Sequence, residues 1–195
     1  MNLGTIITRS ARYWPDQIAV ADSQARLTYA QLERRSNRLA SGLGTLGVGA
    51  GEHVAILAAN RVELVEAEVA LYKAAMVKVP INARLSLDEV VRVLEDSCSV
   101  ALITDASFAQ ALATRRAELP LLRQLIVLEG EGGDLGYAAL LERGSEAALG
   151  LDPADDALAV LHYTSGSSGV LKAAMLSFGN RKALVDKSIA CPTRR

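Results

Sequence analysis

Along most of this chain apolar residues come in two spacings: short unbroken runs, and stretches in which they recur every three or four positions. The unbroken runs predict strands. "QIAVAD" and "RLTY" read as short strands separated by the turn-forming Ser23 and Gln24. "EHVAILA", "VKVPI" edged by Pro80, "SVALIT", "RQLIVLE" and "ALAVLHY" read as further strands, expected near 54–58, 77–80, 100–104, 125–128 and 157–163. Helices lie between them. After an opening amphipathic turn or two, Thr28 and Gln31 have capping-box spacing ahead of Leu32, Leu39, Leu43 and Leu46, and Gly47, Gly49 and Gly51 end that helix. "RVELVEAEVALYKAA" is the next. A second capping box at Ser86 and Glu89 precedes Val90, Val91, Val93 and Leu94; helices follow from Asp105 to Glu118 and from Tyr137 to Arg143. "EGEGGDLG" reads as a flexible acidic surface loop.

Strands alternating with helices of these lengths predict an α/β domain, a mostly parallel sheet with flanking helices, because parallel neighbours need crossover connections. No internal repeat is present, and the loops at 129–136 and 152–156 are short enough to lie within one unit. "ALAVLHY" and "RVELVEAEVALYKAA" are apolar on more than one face, which predicts that both expect cover from further sequence and leave surface open to self-association.

Composition narrows the partners. Of 195 residues half are hydrophobic, enough for a substantial core, and 21 Lys+Arg against 22 Asp+Glu leave a net charge of −1. That balance predicts no nucleic-acid partner and no anionic membrane, so any anion must be held locally. Cys98 and Cys191 lie far apart without metal-ligand spacing, which predicts no metal site and reduced thiols in a cytoplasmic protein. "MNLGTIITRSARYW" lacks a signal-like apolar run, and no apolar stretch reaches transmembrane length.

Two glycine-containing stretches invite a nucleotide reading. "GLGTLG", from Gly42 to Gly47, has GxGxxG spacing, but it closes a helix rather than opening one, so it reads as a helix C-cap. "LHYTSGSSGVLKAAMLS", from Leu161 to Ser177, has better context: a strand delivers it and a second apolar run carries the chain away. Hydroxyls on Thr164, Ser165, Ser167 and Ser168, backbone amides freed by Gly166 and Gly169, and the Lys172 ammonium together suit phosphate oxygens. From composition alone a flexible Ser/Gly-rich hairpin explains the loop equally well. Tyr163 reads as a buried aromatic at a strand end and His162 as packing.

The wording of "YTSGSSGVLK" resembles the phosphate-binding signature of the AMP-forming adenylating enzymes, the superfamily of acyl-CoA synthetases, peptide-synthetase adenylation domains and firefly luciferase. "PDQIAVAD", "LTYAQLERRSNRLASGLGTLGVGAGEHVAILAAN", "LYKAAMVKVPINARLSLDEVVRVLEDS" and "ALITD" resemble the N-terminal half of those enzymes in the same order, and "VPINARL" looks more like acyl-CoA synthetases. The resemblance implies that residues 1–180 are the N-terminal portion of an AMP-binding domain. It also implies that Thr164, Ser165, Gly166, Ser167, Ser168, Gly169 and Lys172 hold the β- and γ-phosphates of ATP with Mg²⁺. A carboxylic acid, fatty or other acyl, would then form an acyl-adenylate and pass to coenzyme A. Val170, Leu171 and Ala173 depart from the usual wording, and Ala75 and Met76 interrupt what is often an Ala-Gly pair. The family's adenine-binding Y-G-x-T-E and ribose-binding T-G-D wordings do not occur in these 195 residues, nor does a C-terminal domain, and residues 181–195 read as an atypical tail. The expectation is therefore a ligase fragment inactive alone, with no catalytic residue assigned in it; the alternative is a non-catalytic remnant acting, if at all, by binding.

Overall fold

A computed structural model describes residues 3–165 and 171–190. The chain opens with α1 (Thr5–Tyr13) and an antiparallel hairpin of β1 (Ile18–Ala21) and β2 (Arg26–Thr28), then enters α2 (Tyr29–Thr45). The capping box that starts α2 is present: Gln31 N donates to Thr28 Oγ1 at 3.2 Å and Thr28 N donates to Gln31 Oε1 at 2.8 Å. Strand and helix then alternate through β3 (His53–Leu57), α3 (Val62–Lys73), β4 (Val77–Pro80), α4 (Leu87–Asp96), β5 (Ala101–Thr104), α5 (Ala106–Ala113), β6 (Gln124–Val127), β7 (Leu135–Gly136) and α6 (Tyr137–Arg143). β8 (Leu158–Ser165), β9 (Leu171–Ser177) and α7 (Phe178–Ala190) complete the described chain.

Seven strands form one sheet in the order β7-β6-β5-β3-β4-β8-β9. Every neighbouring pair is parallel except β8 and β9. Alternate strand residues feed opposite cores, as the period of two requires. Val54, Ile56, Ala101, Ile103 and Ile126 meet α2, α3 and α6 on one face. Ala55, Leu57, Leu102, Leu125 and Val127 meet α4 and α5 on the other. The strands expected from unbroken apolar runs are all present, β8 running two residues further than its apolar run.

Three helices end in the same device. The residue after the C-cap is left-handed, and its N–H and the next one reach back to the last turn, which satisfies carbonyls the helix leaves orphaned. At the end of α2 that residue is Gly47 (φ 76°), so "GLGTLG" is a helix terminus, as its context predicts. At the end of α3 it is Ala75 (φ 53°), and at the end of α4 it is Cys98 (φ 49°), both strained by their Cβ atoms. Within α2, Gly42 packs so closely on α6 that a Cβ there would lie 2.6 Å from the Leu140 carbonyl oxygen. Beside that contact Asn37 Nδ2 donates to Glu146 O at 2.8 Å.

Three expectations are corrected. The 105–118 helix is α5 followed by a separate 3₁₀ turn (Arg116–Glu118), because Thr114 Oγ1 donates back to Ala111 O and Arg115 N to Leu112 O, which closes α5. The acidic loop is pinned at its far end, where Asp134 accepts from Leu125 N at 2.8 Å and β7 joins the sheet. α3 is not left uncovered, since α2 and the β1–β2 hairpin bury Glu66, Ala67, Val69, Ala70 and Leu71. β8 lies inside the sheet with Ala159, Val160 and Leu161 buried, so the open edge belongs to β9, where Met175 is 68% exposed.

Candidate functional site

β8 is parallel to β4, with Val160 opposite Lys78. β4 ends two residues later at Pro80, whereas β8 continues to Ser165, so the described ends of β8 and β9 extend past the carboxyl end of β4. In open α/β sheets that rim is where ligands are held. Of the residues singled out from sequence, Thr164 and Lys172 come together as a directly opposed cross-strand pair, both exposed and on one face. Thr164 Oγ1 lies 3.5 Å from Lys172 O. Ser165 pairs through its backbone with Leu171. Gly166, Ser167, Ser168 and Gly169 lie outside the described residues, as does Val170.

The other face of the hairpin packs on α4. Tyr163, Leu171 and Ala173 lean on the core beneath that helix, and Tyr163 OH donates to Asp96 Oδ2 at 2.5 Å, a short charge-assisted bond. Burial first, and then the Asp96 carboxylate, raise the Tyr163 phenol well above its ordinary range, so it stays a donor. Tyr163 is thus half-buried with a specific partner, which a reading of it as plain packing missed. His162, also expected to pack, is exposed.

Sequence reasoning also missed a polar cluster at the same rim, beyond β3, β5 and β6. Arg61 pairs with Glu63 Oε2 at 2.8 Å and Glu129 Oε1 at 2.6 Å, with Asp105 Oδ1 at 3.7 Å. Asp22 accepts from Gln24 N, Ala25 N and, at 2.9 Å, Val62 N in the first turn of α3, and these backbone donors lower its carboxyl below the usual range. A cavity of about 390 Å³ lies among these groups. The α3 N-terminus, an electropositive end that would otherwise attract an anion, is closed by the chain's own carboxylates. The signal was available in spacing: an acid follows each of three strands, at Asp105, Glu129 and, on the hairpin, Asp22.

Two buried ionic groups tie α2 to α3 and α6. Lys73 Nζ donates to Glu33 Oε2, Ser36 Oγ and Asn37 Oδ1 at 2.6, 2.9 and 2.7 Å, while burial lowers its ammonium below the ordinary range. Glu66 accepts from Arg35 Nε at 2.6 Å and Tyr137 OH at 2.9 Å, and burial raises its carboxyl against their opposition. A second cavity, of about 610 Å³, opens at the amino ends of β3 and β4 beside His53, Ala75 and Leu158, at the end of the sheet away from the hairpin tip. Among the described residues no group of three or more His, Cys, Asp or Glu side chains could hold a metal ion, and no helix is long and apolar enough to cross a membrane.

Comparison with known proteins identifies the family of the chain. A family model for AMP-binding enzymes matches residues 7–194. A feruloyl-CoA synthase of Amycolatopsis sp is 38% identical over 178 residues, covering 91% of this chain and 34% of the relative. A 3-oxocholest-4-en-26-oate–CoA ligase of Rhodococcus rhodochrous is 31% identical over 183 residues, covering 90% and 33%. Among solved structures, a Mycobacterium tuberculosis fatty acyl CoA synthetase superposes with a TM-score of 0.84 at 28% identity, covering 100% of this chain and 38% of that one. The chain spans about a third of the length of the curated relatives it matches.

Proposed function

The chain belongs to the AMP-binding enzyme family, and on that premise we propose that its β8–β9 hairpin holds the phosphates of ATP for an acid–thiol ligase of the acyl-CoA synthetase type. Thr164, Ser165, Gly166, Ser167, Ser168, Gly169 and Lys172 are the residues assigned to the triphosphate, which brings Mg²⁺ with it as part of the substrate. A carboxylate oxygen of the acid attacks the α-phosphorus and pyrophosphate leaves with the electron pair of the broken P–O bond. The coenzyme A sulfur then takes the acyl group and AMP departs. The hairpin's part is to hold the β- and γ-phosphates in line and to spread charge on the leaving group. The acid is fatty or otherwise acyl, in keeping with the ferulate, sterol-acid and fatty acyl names of the relatives.

The observation that carries this reading is the exposed Thr164–Lys172 pair near the carboxyl end of β8, beside a rim already filled by carboxylates. Among the described residues at that end of the sheet, the Lys172 ammonium is a cation that no carboxylate of the chain pairs with. Within the proposal, residues 1–180 are the N-terminal portion of the AMP-binding domain and 181–195 a departing tail. The family match to residue 194 favours extending the domain through α7. These residues carry the phosphate element without the adenine and ribose wordings, so the 195-residue chain is expected to show no ATP–pyrophosphate exchange with any carboxylic acid. The compartment proposed is the cytoplasm, and the exposed β9 edge is proposed to self-associate.

Calorimetric titration with Mg–tripolyphosphate tests the assignment. Binding is expected for the wild type and at least about tenfold weaker binding for Lys172→Ala, since a charge-assisted phosphate contact is lost. Equal affinity of the two would refute it. No binding by either would favour a non-catalytic remnant.

A further inference from the structure

Past Pro80 the described end of β8 has no strand beside it on the β4 side among the described residues. Among the described residues, the one polar side-chain tie from this overhang to the rest of the protein is Tyr163 OH to Asp96 Oδ2. The far end of that tie is rigid. Asp96 is the last residue of α4, and the turn that follows it is held by Ser97 N to Val93 O at 2.9 Å, Cys98 N to Glu95 O at 3.0 Å and Ser99 N to Leu94 O at 3.1 Å. A buried Ser97 Oγ–Ser99 Oγ contact at 2.7 Å and the His53 ring nitrogen against Ser97 O at 2.5 Å lock it further to β3. Tyr163 is one residue before Thr164 and opposite Ala173, so it grips the hairpin on the face opposite the Thr164–Lys172 pair.

We propose that Tyr163 and Asp96 form a clamp that positions the Thr164–Lys172 pair, through α4, for the triphosphate. Neither residue touches the phosphates; both act by fixing the height and twist of the overhang. A cross-strand pair at an unsupported tip otherwise samples many orientations, and the ordering would have to be supplied on binding. The clamp supplies it beforehand. The functional half rests on the phosphate reading of the hairpin.

The test uses the 195-residue chain with Tyr163→Phe, Asp96→Ala, Asp96→Asn and the Tyr163→Phe/Asp96→Ala pair. Hydrogen exchange at the backbone amides of 163–165 and 171–173 reads the clamp without any ligand. Both Tyr163→Phe and Asp96→Ala should speed it about 5- to 10-fold, the double variant no more than either, and Asp96→Asn less, since its amide oxygen still accepts. Mg–tripolyphosphate affinity should fall about 3- to 10-fold in step, with the melting temperature nearly unchanged. Unchanged exchange in Tyr163→Phe, or effects of the two sites that add, would overturn the clamp. If exchange responds but the wild type binds tripolyphosphate no better than Lys172→Ala, the clamp stands as architecture and its functional half falls with the phosphate reading. If Lys172→Ala loses binding while Tyr163→Phe retains it, only the positioning role is overturned.

Discussion

Two lysines close two apolar segments, Lys73 at the end of α3 and Lys172 near the start of β9, and the fold treats them in opposite ways. Lys73 is 7% exposed and spends its ammonium on Glu33, Ser36 and Asn37 of α2. Lys172 is exposed, and among the described residues no carboxylate pairs with it. The first lysine ties α3 to α2, and the second is the one the phosphate proposal uses. A charge that its own chain has neutralised cannot bind a substrate, so the informative cation in an unfamiliar structure is one the fold declines to satisfy.

The largest expected effect breaks the buried side of this contrast. Lys73→Ala strands Glu33, Ser36 and Asn37 at the α2–α3 contact and should cost about 3 kcal/mol in urea unfolding, because removing one partner of a buried pair leaves the other uncompensated. Lys172→Ala tests the exposed side: its unfolding free energy should stay within about 0.5 kcal/mol of wild type. If the two variants destabilise equally, the contrast between structural and free lysine is lost.

The second sharpening uses pH. Burial holds the Glu66 carboxyl above its ordinary 4.5 despite Arg35 and Tyr137. A raised folded-state value means that Glu66 contributes its full stability below about pH 4.5 and loses it as pH climbs through the folded value. Lys73 runs the other way: its lowered folded value makes its contribution full above 10.5 and lost as pH falls. Unfolding of Glu66→Gln should therefore lack the decline that wild type shows as pH climbs above about 4.5. An identical pH profile for the two would show that Arg35 outweighs burial.

The last expected effect concerns the turn just past Lys73. Ala75→Gly relieves a left-handed alanine and should stabilise by about 0.5 to 1 kcal/mol, visible as a rise of roughly 1 to 3 °C in thermal melting. A lower melting temperature would mean that the added chain entropy of glycine outweighs the strain.

Most of the fold was legible because the strands from β1 to β6 and β8 are short apolar runs and two helices announce themselves with capping boxes, at Thr28 and Ser86. What could not be read was which apolar surface would be covered. α3 looks over-apolar in isolation, yet its cover comes from residues 5–45, a long-range pairing that local spacing does not encode. The same holds at the site. The hydroxyls, glycines and lysine of 164–172 were visible as a cluster, but the Tyr163–Asp96 bond joins residues 67 apart, and the carboxylate cluster around Arg61 is assembled from the ends of separate strands. Ala75 shows a subtler limit. As an oddity of wording it carries no sign, and only its positive φ turns it into strain.

The close seating of α6 on α2 has a consequence for synthesis. Asn37 waits for a partner at Glu146, 109 residues later, and Gly42 for Leu140. At ordinary rates of translation that is roughly 5 to 20 s during which one side of a finished helix has nothing to rest on. The nascent chain therefore carries one side of α2 exposed until most of the sheet has been made, and that interval is when a chaperone would find the protein most in need of shelter.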